Sequence, residues 1–299
     1  MLSVLGAISH PRVNLKSPYL VDPAGGIHVL PGTGGITYNV AVGDGAYTIV
    51  GDHVEPGVSI TLEEGERDGL GLGALSVLTC IGNEARVVSG AAADARGVVT
   101  GKHGGVEHIL IDFPKATLEK LAIGDRIQIK AFGQGLAIDG APDVQVMNLD
   151  PELLQKMGIV SRGGGLAVPV AHVIPSSIMG SGVGSRHSWS GDYDIQCVDE
   201  ETVERHGLSD LRIGDVVAIR DADCRYGRSI RSGAMSIGVV VHASCVLGGH
   251  GPGVTVIMTT VKKAIAPKLA RDANIARYLG IGSGAAIAVA RTRGRGRRR

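Results

Sequence analysis

The sequence predicts a mainly β protein, a β-rich α+β chain with few short helices, and three observations carry that expectation. Strand-like runs of aliphatic and β-branched residues recur along the 299 residues, most of them bounded by Gly, Asp or Pro. The composition sets 46 glycines against two Phe, one Trp and six Tyr, a mixture that favours short strands and tight turns. Helical spacing of apolar residues is confined to a few short segments.

The expected strands are ITYNVAV (36–42), AYTIVG (46–51), VSITL (58–62), ALSVLTCIG (74–82), ARVVSG (85–90), VEHILIDF (106–113), RIQIKAF (126–132) and LAVPVAHVI (166–174). Beyond them come DYDIQCV (192–198), VVAIRDA (216–222), SIGVVVHASC (236–245) and VTVIMTTV (254–261). Helices are expected at DPELLQKM (150–157), where Asp150 caps, Pro151 takes the first turn and Gly158 follows the end. DEETVERH (199–206) starts with an acidic first turn and stops at Gly207, and ATLEKL (116–121) is a third helix. In KLARDANIARYL (268–279), Leu269, Ala273, Ala276 and Leu279 fall on one helical face.

An internal echo suggests duplication. LAIGDRIQIKAFG (121–133) matches LRIGDVVAIRDAD (211–223), and GKHGGVEHILIDF (101–113) aligns without gaps on SRHSWSGDYDIQC (185–197), pairing Lys102 with Arg186 and His103 with His187. The plainer alternative is that Gly-Asp is a common turn before a strand. The chain then divides into two packed barrel- or sandwich-like subdomains, 1–162 and 163–285, and an Arg-rich tail, 286–299.

Charge and cysteine usage exclude several function classes. Six arginines lie in RTRGRGRRR (291–299) while the formal net charge is only +1, so the body is mildly acidic and lacks the footprint of a nucleic-acid binder. Contact with nucleic acid is expected only weakly, through the tail. Cys80, Cys197, Cys224 and Cys245 are scattered and form no CxxC, which argues against a zinc knuckle and for a reducing compartment. No run has the length of a membrane span and no signal peptide is evident at the start, so a cytoplasmic protein without membrane contact is expected. A homo-oligomer is compatible with the sequence.

The segment GVVVHASCVLGGHGPGVTVIM (238–258) sets His242 and His250 around a glycine-rich crossing between strands. Imidazoles so placed can ligate a divalent metal or move protons, and Asp192, Asp194 and Asp223 are candidate carboxylate ligands, with Asp221 a further donor. Asp192 and Asp194, two residues apart, share one strand face. An interior His242 and a turn residue His250 are the bland alternative. GKHGG (101–105) and GHGPG (249–253) can turn backbone N–H groups toward an anion, with Lys102 and His103 orienting the anionic part of a substrate. His187 is a further acid/base candidate, with Arg186, Asn83 and Glu84 as further substrate contacts. GSGVGS (180–185) lacks the strand-turn-helix context of a dinucleotide site, and Cys245 on an apolar strand is assigned to packing.

With GNEA, GKHGGVEHILIDF, PSSIMGSG, GDYDIQ and GHGPGV in view, the chain resembles a prokaryotic two-domain β-rich family known only as domain of unknown function 4438. That resemblance runs from about residue 30 to 280 and implies no activity. GDYDIQ, the IGD hairpin and the Gly-His loop also look faintly like the acetamidase/formamidase group, whose members hydrolyse short amides. The expected function is therefore hydrolysis of a C–N bond in a small amide or lactam, with a divalent metal (Zn, Mn or Mg) held by His242, His250 and nearby aspartates. A non-enzymatic protein holding a small anionic ligand between its halves is the alternative.

Overall fold

Alternation of apolar and polar side chains closes the N-terminal half into a barrel. In the strand Arg126–Ala131, Ile127, Ile129 and Ala131 are buried while Arg126 and Lys130 are exposed, the two-residue period of a strand with one face in a core. Six strands join in the order Leu2–Ile8, Arg126–Ala131, Glu84–Val87, Arg96–His103, His108–Asp112 and Gly57–Thr61. The last pairs back onto the first through Ala7 and Thr61, which closes the ring and removes its open edges. Val58, Ile60, Val99, Ile109, Ile111 and Ile129 fill the interior. The computed structural model describes residues 1–12, 19–29, 31–49, 51–62, 70–196 and 199–282. The Arg-rich tail, Cys197 and the end of the run 192–198 lie outside the described residues.

The C-terminal half is built on a sheet ordered Gln145–Val146, Gly253–Thr260, Ser229–Val240, Val216–Asp223 and His172–Pro175, with Tyr193–Asp194 pairing onto Gly253–Thr260. A smaller sheet joins Val160–Arg162, Gly165–Val170 and Ile265–Leu269. The halves share one core, because Val42, Ile81 and Leu110 pack in the same buried cluster as Ile237, Val241 and Met258. Ala141, Val144, Leu149 and Leu153, which precede residue 162, belong to that cluster as well.

One seam between the halves positions the site. A Cβ on Gly101 would stand 2.5 Å from Val241 Cγ1, so only glycine lets the two backbones approach there. Next to it, the Lys102 N–H donates to Thr255 Oγ1 at 3.3 Å and the Thr255 hydroxyl donates to the Lys102 carbonyl at 3.0 Å. The end of the strand Arg96–His103 is thereby fixed against the C-terminal sheet.

Several expected elements differ. ALSVLTCIG was expected as a strand, but Leu70–Leu78 is a helix whose Leu75 enters the barrel core near Gly6. A short continuous apolar run fits either state, and packing decides. The segment 268–279 is helical only over Ile275–Leu279, because Ile265–Leu269, which contains Pro267, pairs in parallel with Gly165–Val170. Of 36–42 only Ile36–Thr37 is strand, and AYTIVG forms none among its described residues. The strand Leu2–Ile8 had no expected counterpart. The helices Pro151–Lys156 and Glu200–Arg205 follow their caps, with Asp150 and Asp199 accepting from first-turn N–H groups.

The echo is local. At the IGD turns, Gly124 and Gly214 have φ of 87° and 88°, Asp125 and Asp215 accept the N–H of Ala122 and Arg212, and a strand follows each. Upstream the correspondence ends: Lys102 and His103 finish a buried strand, whereas Arg186 and His187 are exposed in a loop. Among the described residues no helix is long and apolar enough to cross a membrane.

Candidate metal centre

Both halves send titratable side chains to the seam. From the N-terminal half come Asp52, His53 and Glu55, just before the strand Gly57–Thr61, with His103 and His108, which face each other across a strand pair. From the C-terminal half come Asp192 and Asp194, on either side of Tyr193, then His242 just past Ser229–Val240, and His250 in the GHGPG loop. His53 has φ of 55°, in the left-handed region that a non-glycine residue enters at a cost and that often marks a functional site.

One set of ligand atoms faces a cavity of about 580 Å³. His53 Nε2 is 3.1 Å from His250 Nδ1 and 3.4 Å from Asp194 Oδ2, and His250 Nδ1 is 3.3 Å from Asp194 Oδ2. A tetrahedral ion with bonds of 2.0–2.1 Å separates its ligands by about 3.3 Å, so these three atoms have the spacing of one face of such a site. His53 Nδ1 is held by Asp52 Oδ1 at 2.6 Å, the carboxylate–histidine arrangement that orients a metal ligand.

A second set lies deeper. His103, Asp192 and His242 are all buried, and each offers one ligand atom within 4.8 Å of the others. His103 Nδ1 is bound to Glu55 Oε1 at 2.5 Å, which leaves Nε2 to serve as ligand. Glu55 also holds His108 Nδ1 at 3.0 Å and accepts from the Gly34 N–H and the Ser59 hydroxyl, both at 2.6 Å. A Cβ on Gly253 would stand 1.8 Å from Asp192 Oδ2 and 2.1 Å from His242 Nε2, so glycine there keeps the space where these atoms converge.

Burial opposes charge on Asp192, Asp194, Glu55, His53 and His103, and opposite charges nearby outweigh it. Against its burial, Asp192 is held below the usual carboxylate range by His103 and His242, and Asp194 by His250 and His53. Glu55 is likewise driven well below that range by His103 and His108. Burial lowers His53, but its bonds to Asp194 and Asp52 carry it up to about 12, and Asp192 and Glu55 raise His103. The cluster thus retains positive charge, which protons or a metal cation can supply.

Of the residues expected from the sequence, His242, His250, Asp192, Asp194 and His103 meet here. His242 and His250 reach the same carboxylate, Asp194, at 3.9 Å and 3.3 Å, but they belong to different ligand sets. The glycine loops bind internal carboxylates: the Gly104 N–H donates to Asp192 Oδ1 at 2.8 Å and the Gly251 N–H to Asp194 Oδ2 at 3.3 Å. Lys102, expected to face substrate, is fully buried and donates to Asn148 Oδ1, the Trp189 carbonyl and the Val77 carbonyl. Burial pushes its ammonium down to about 7.

The others stand apart. Asp223 pairs with Arg225 and Arg231. Asn83 is buried against Asp150, the Cys80 N–H and the backbone of Phe132. Glu84 pairs with Lys130 and Arg96 beside a different cavity, of about 1030 Å³. Arg186 and His187 are exposed and lie outside the lining of the 580 Å³ cavity. The sequence reading missed Asp52, His53, Glu55 and His108. Its available signal was GDHVEP (51–56), which puts three titratable residues within four positions beside a strand.

A closed barrel packed on a second β-rich half, with a buried His/Asp cluster on their seam, defines the class of protein. The chain belongs to the family described as Domain of unknown function (DUF4438), whose N-terminal part matches residues 19–155 and whose C-terminal part matches residues 156–279. It is similar to the crystal structure of TM1086, at 50% identity and a TM-score of 0.86, over 93% of this chain and 95% of that one. No curated protein matches it.

Proposed function

We propose that the protein is a divalent-metal-dependent hydrolase of small molecules, acting on the C–N bond of an amide, lactam or related group. The observation that carries this reading is the triangle of His53 Nε2, His250 Nδ1 and Asp194 Oδ2, with edges of 3.1, 3.4 and 3.3 Å at the wall of a cavity. A divalent ion held by His53, His250 and Asp194 would lower the pKa of water and polarise a carbonyl oxygen. Amide carbonyls are poor electrophiles and need both effects.

The chain's own groups supply the rest. Asp52 lines the cavity, and with Oδ1 bonded to His53 its Oδ2 would accept the proton of the attacking water. The water oxygen bonds to the carbonyl carbon, the C–N bond breaks, and the proton passes from Asp52 to the leaving nitrogen. The products are a carboxylic acid and an amine, and the acid's proton then passes to the amine to give a carboxylate and an ammonium. Arg12, also on the cavity wall, suits a substrate with an anionic end.

The test is to load the purified chain with Zn, Mn or Mg and measure amine release from a panel of short amides and lactams. Turnover that disappears on chelation and in His250→Ala supports the reading. Metal-loaded protein that cleaves none of the panel, or metal-free protein that cleaves as fast, contradicts it.

A further inference from the structure

We infer that the centre is binuclear, with a second divalent cation bound by His103, Asp192 and His242 and joined to the first through the Asp194 carboxylate. This rests on the same metal-binding reading of the seam, and it adds an ion at the inner wall of the same cavity, which His103 and Asp192 line.

The convergence of buried ligand atoms is the main argument. His242 Nδ1 is held by the Ala243 carbonyl oxygen at 2.8 Å and the Gly253 N–H at 3.4 Å, which turns Nε2 toward the seam. Nε2 stands 2.7 Å from Asp192 Oδ2. Both atoms are buried without a hydrogen-bond partner among the described residues. With His103 they bring three buried ligand atoms within 4.8 Å of one another, and a cation held by all three would satisfy both atoms at once. The contact widens by roughly 0.5 Å to match the ligand spacing of a tetrahedral ion.

The surroundings fix each ligand in this role. Asp192 Oδ1 accepts the Gly104 N–H at 2.8 Å, leaving Oδ2 for the ion. His103 is turned by Glu55, and its ring lies 4.2 Å from that of His242, tilted by 33°. Asp194 spans the two sets: Oδ2 completes the outer triangle, and Oδ1 lies 3.9 Å from His242 Nε2. A carboxylate shared in this way suits ions about 3.5–4 Å apart, the spacing at which two metals share one water and clamp a reacting carbonyl.

Mn²⁺ is a suitable probe. Titration of the metal-stripped chain should saturate at two ions per chain, and the saturated protein should give the electron paramagnetic resonance spectrum of a coupled Mn²⁺ pair. Asp192→Asn and His250→Ala should each retain one ion and give the spectrum of isolated Mn²⁺, with circular dichroism checking that both are folded. Saturation at one ion with an isolated spectrum in the unaltered chain overturns the inference, and this readout requires no variant. If that single ion is lost in His250→Ala while the unaltered chain still hydrolyses amides, the proposed function stands and the second ion falls. If two coupled ions bind and no amide is cleaved, the reverse holds.

Discussion

Asp52 Oδ1 accepts a hydrogen bond from His53 Nδ1 at 2.6 Å, and this bond directs His53 Nε2 toward Asp194 and His250. Removing the charge of Asp52 leaves the ligands in place but loosens their orientation. Asp52→Asn should therefore weaken metal binding by about 10–100-fold with the fold retained. Competition with a chromogenic chelator measures this, and unchanged affinity would show that His53 is not oriented as a ligand.

Metal binding should release protons. In the metal-free chain His53 is held up at about 12 by its bonds to Asp194 and Asp52, so it carries a proton that a metal must displace, and His103 is shifted in the same direction. Affinity should rise by about tenfold per pH unit for each proton released. Calorimetric titration in two buffers of different ionisation enthalpy counts those protons, and a count of zero would contradict the assignment of these imidazoles as ligands.

Glu55 organises the inner histidines. It is buried, and it accepts from His103, His108, Gly34 and Ser59. Glu55→Ala leaves these partners unpaired in the interior and should cost about 3–5 kcal/mol, read from urea denaturation. Its folded pKa lies well below the usual value, so its stabilisation is present above about pH 4.3 and is lost as pH falls through the folded value. An acid limb that is identical in Glu55→Gln would remove Glu55 from this role.

Cys245 Sγ lies 3.2 Å from Asp52 Oδ1 and is buried. If water is the nucleophile, as proposed, no thiol chemistry is needed, so Cys245→Ala should change turnover by less than about tenfold. A covalent adduct on Cys245 in the mass spectrum of the unaltered chain during turnover would point to acyl transfer through the thiol instead.

The sequence reading succeeded where local chemistry decides. The β-rich class followed from strand-like runs with glycine turns, and the caps Asp150 and Asp199 marked two helices because capping involves neighbours in the chain. Asp192 and Asp194 were legible as a pair because strand spacing alone aims both to one side. What failed was non-local. The helix Leu70–Leu78 depends on burial against the barrel, and closure of the ring depends on Ala7 meeting Thr61. His53 and His250 are 197 positions apart, and no spacing rule links them. The echo misled for the same reason, since matching IGD turns do not carry Arg186 and His187 to the seam.

The central claim is that a cation at His53, His250 and Asp194 drives hydrolysis. The most direct measurement is amine release by one preparation assayed as purified, after chelation, and after the ion is restored, beside His250→Ala treated in the same way. The account predicts activity that is lost on chelation and recovered on reloading, with His250→Ala inactive throughout yet folded by circular dichroism. Activity that survives chelation, or a His250→Ala variant that cleaves at the unaltered rate, would contradict it.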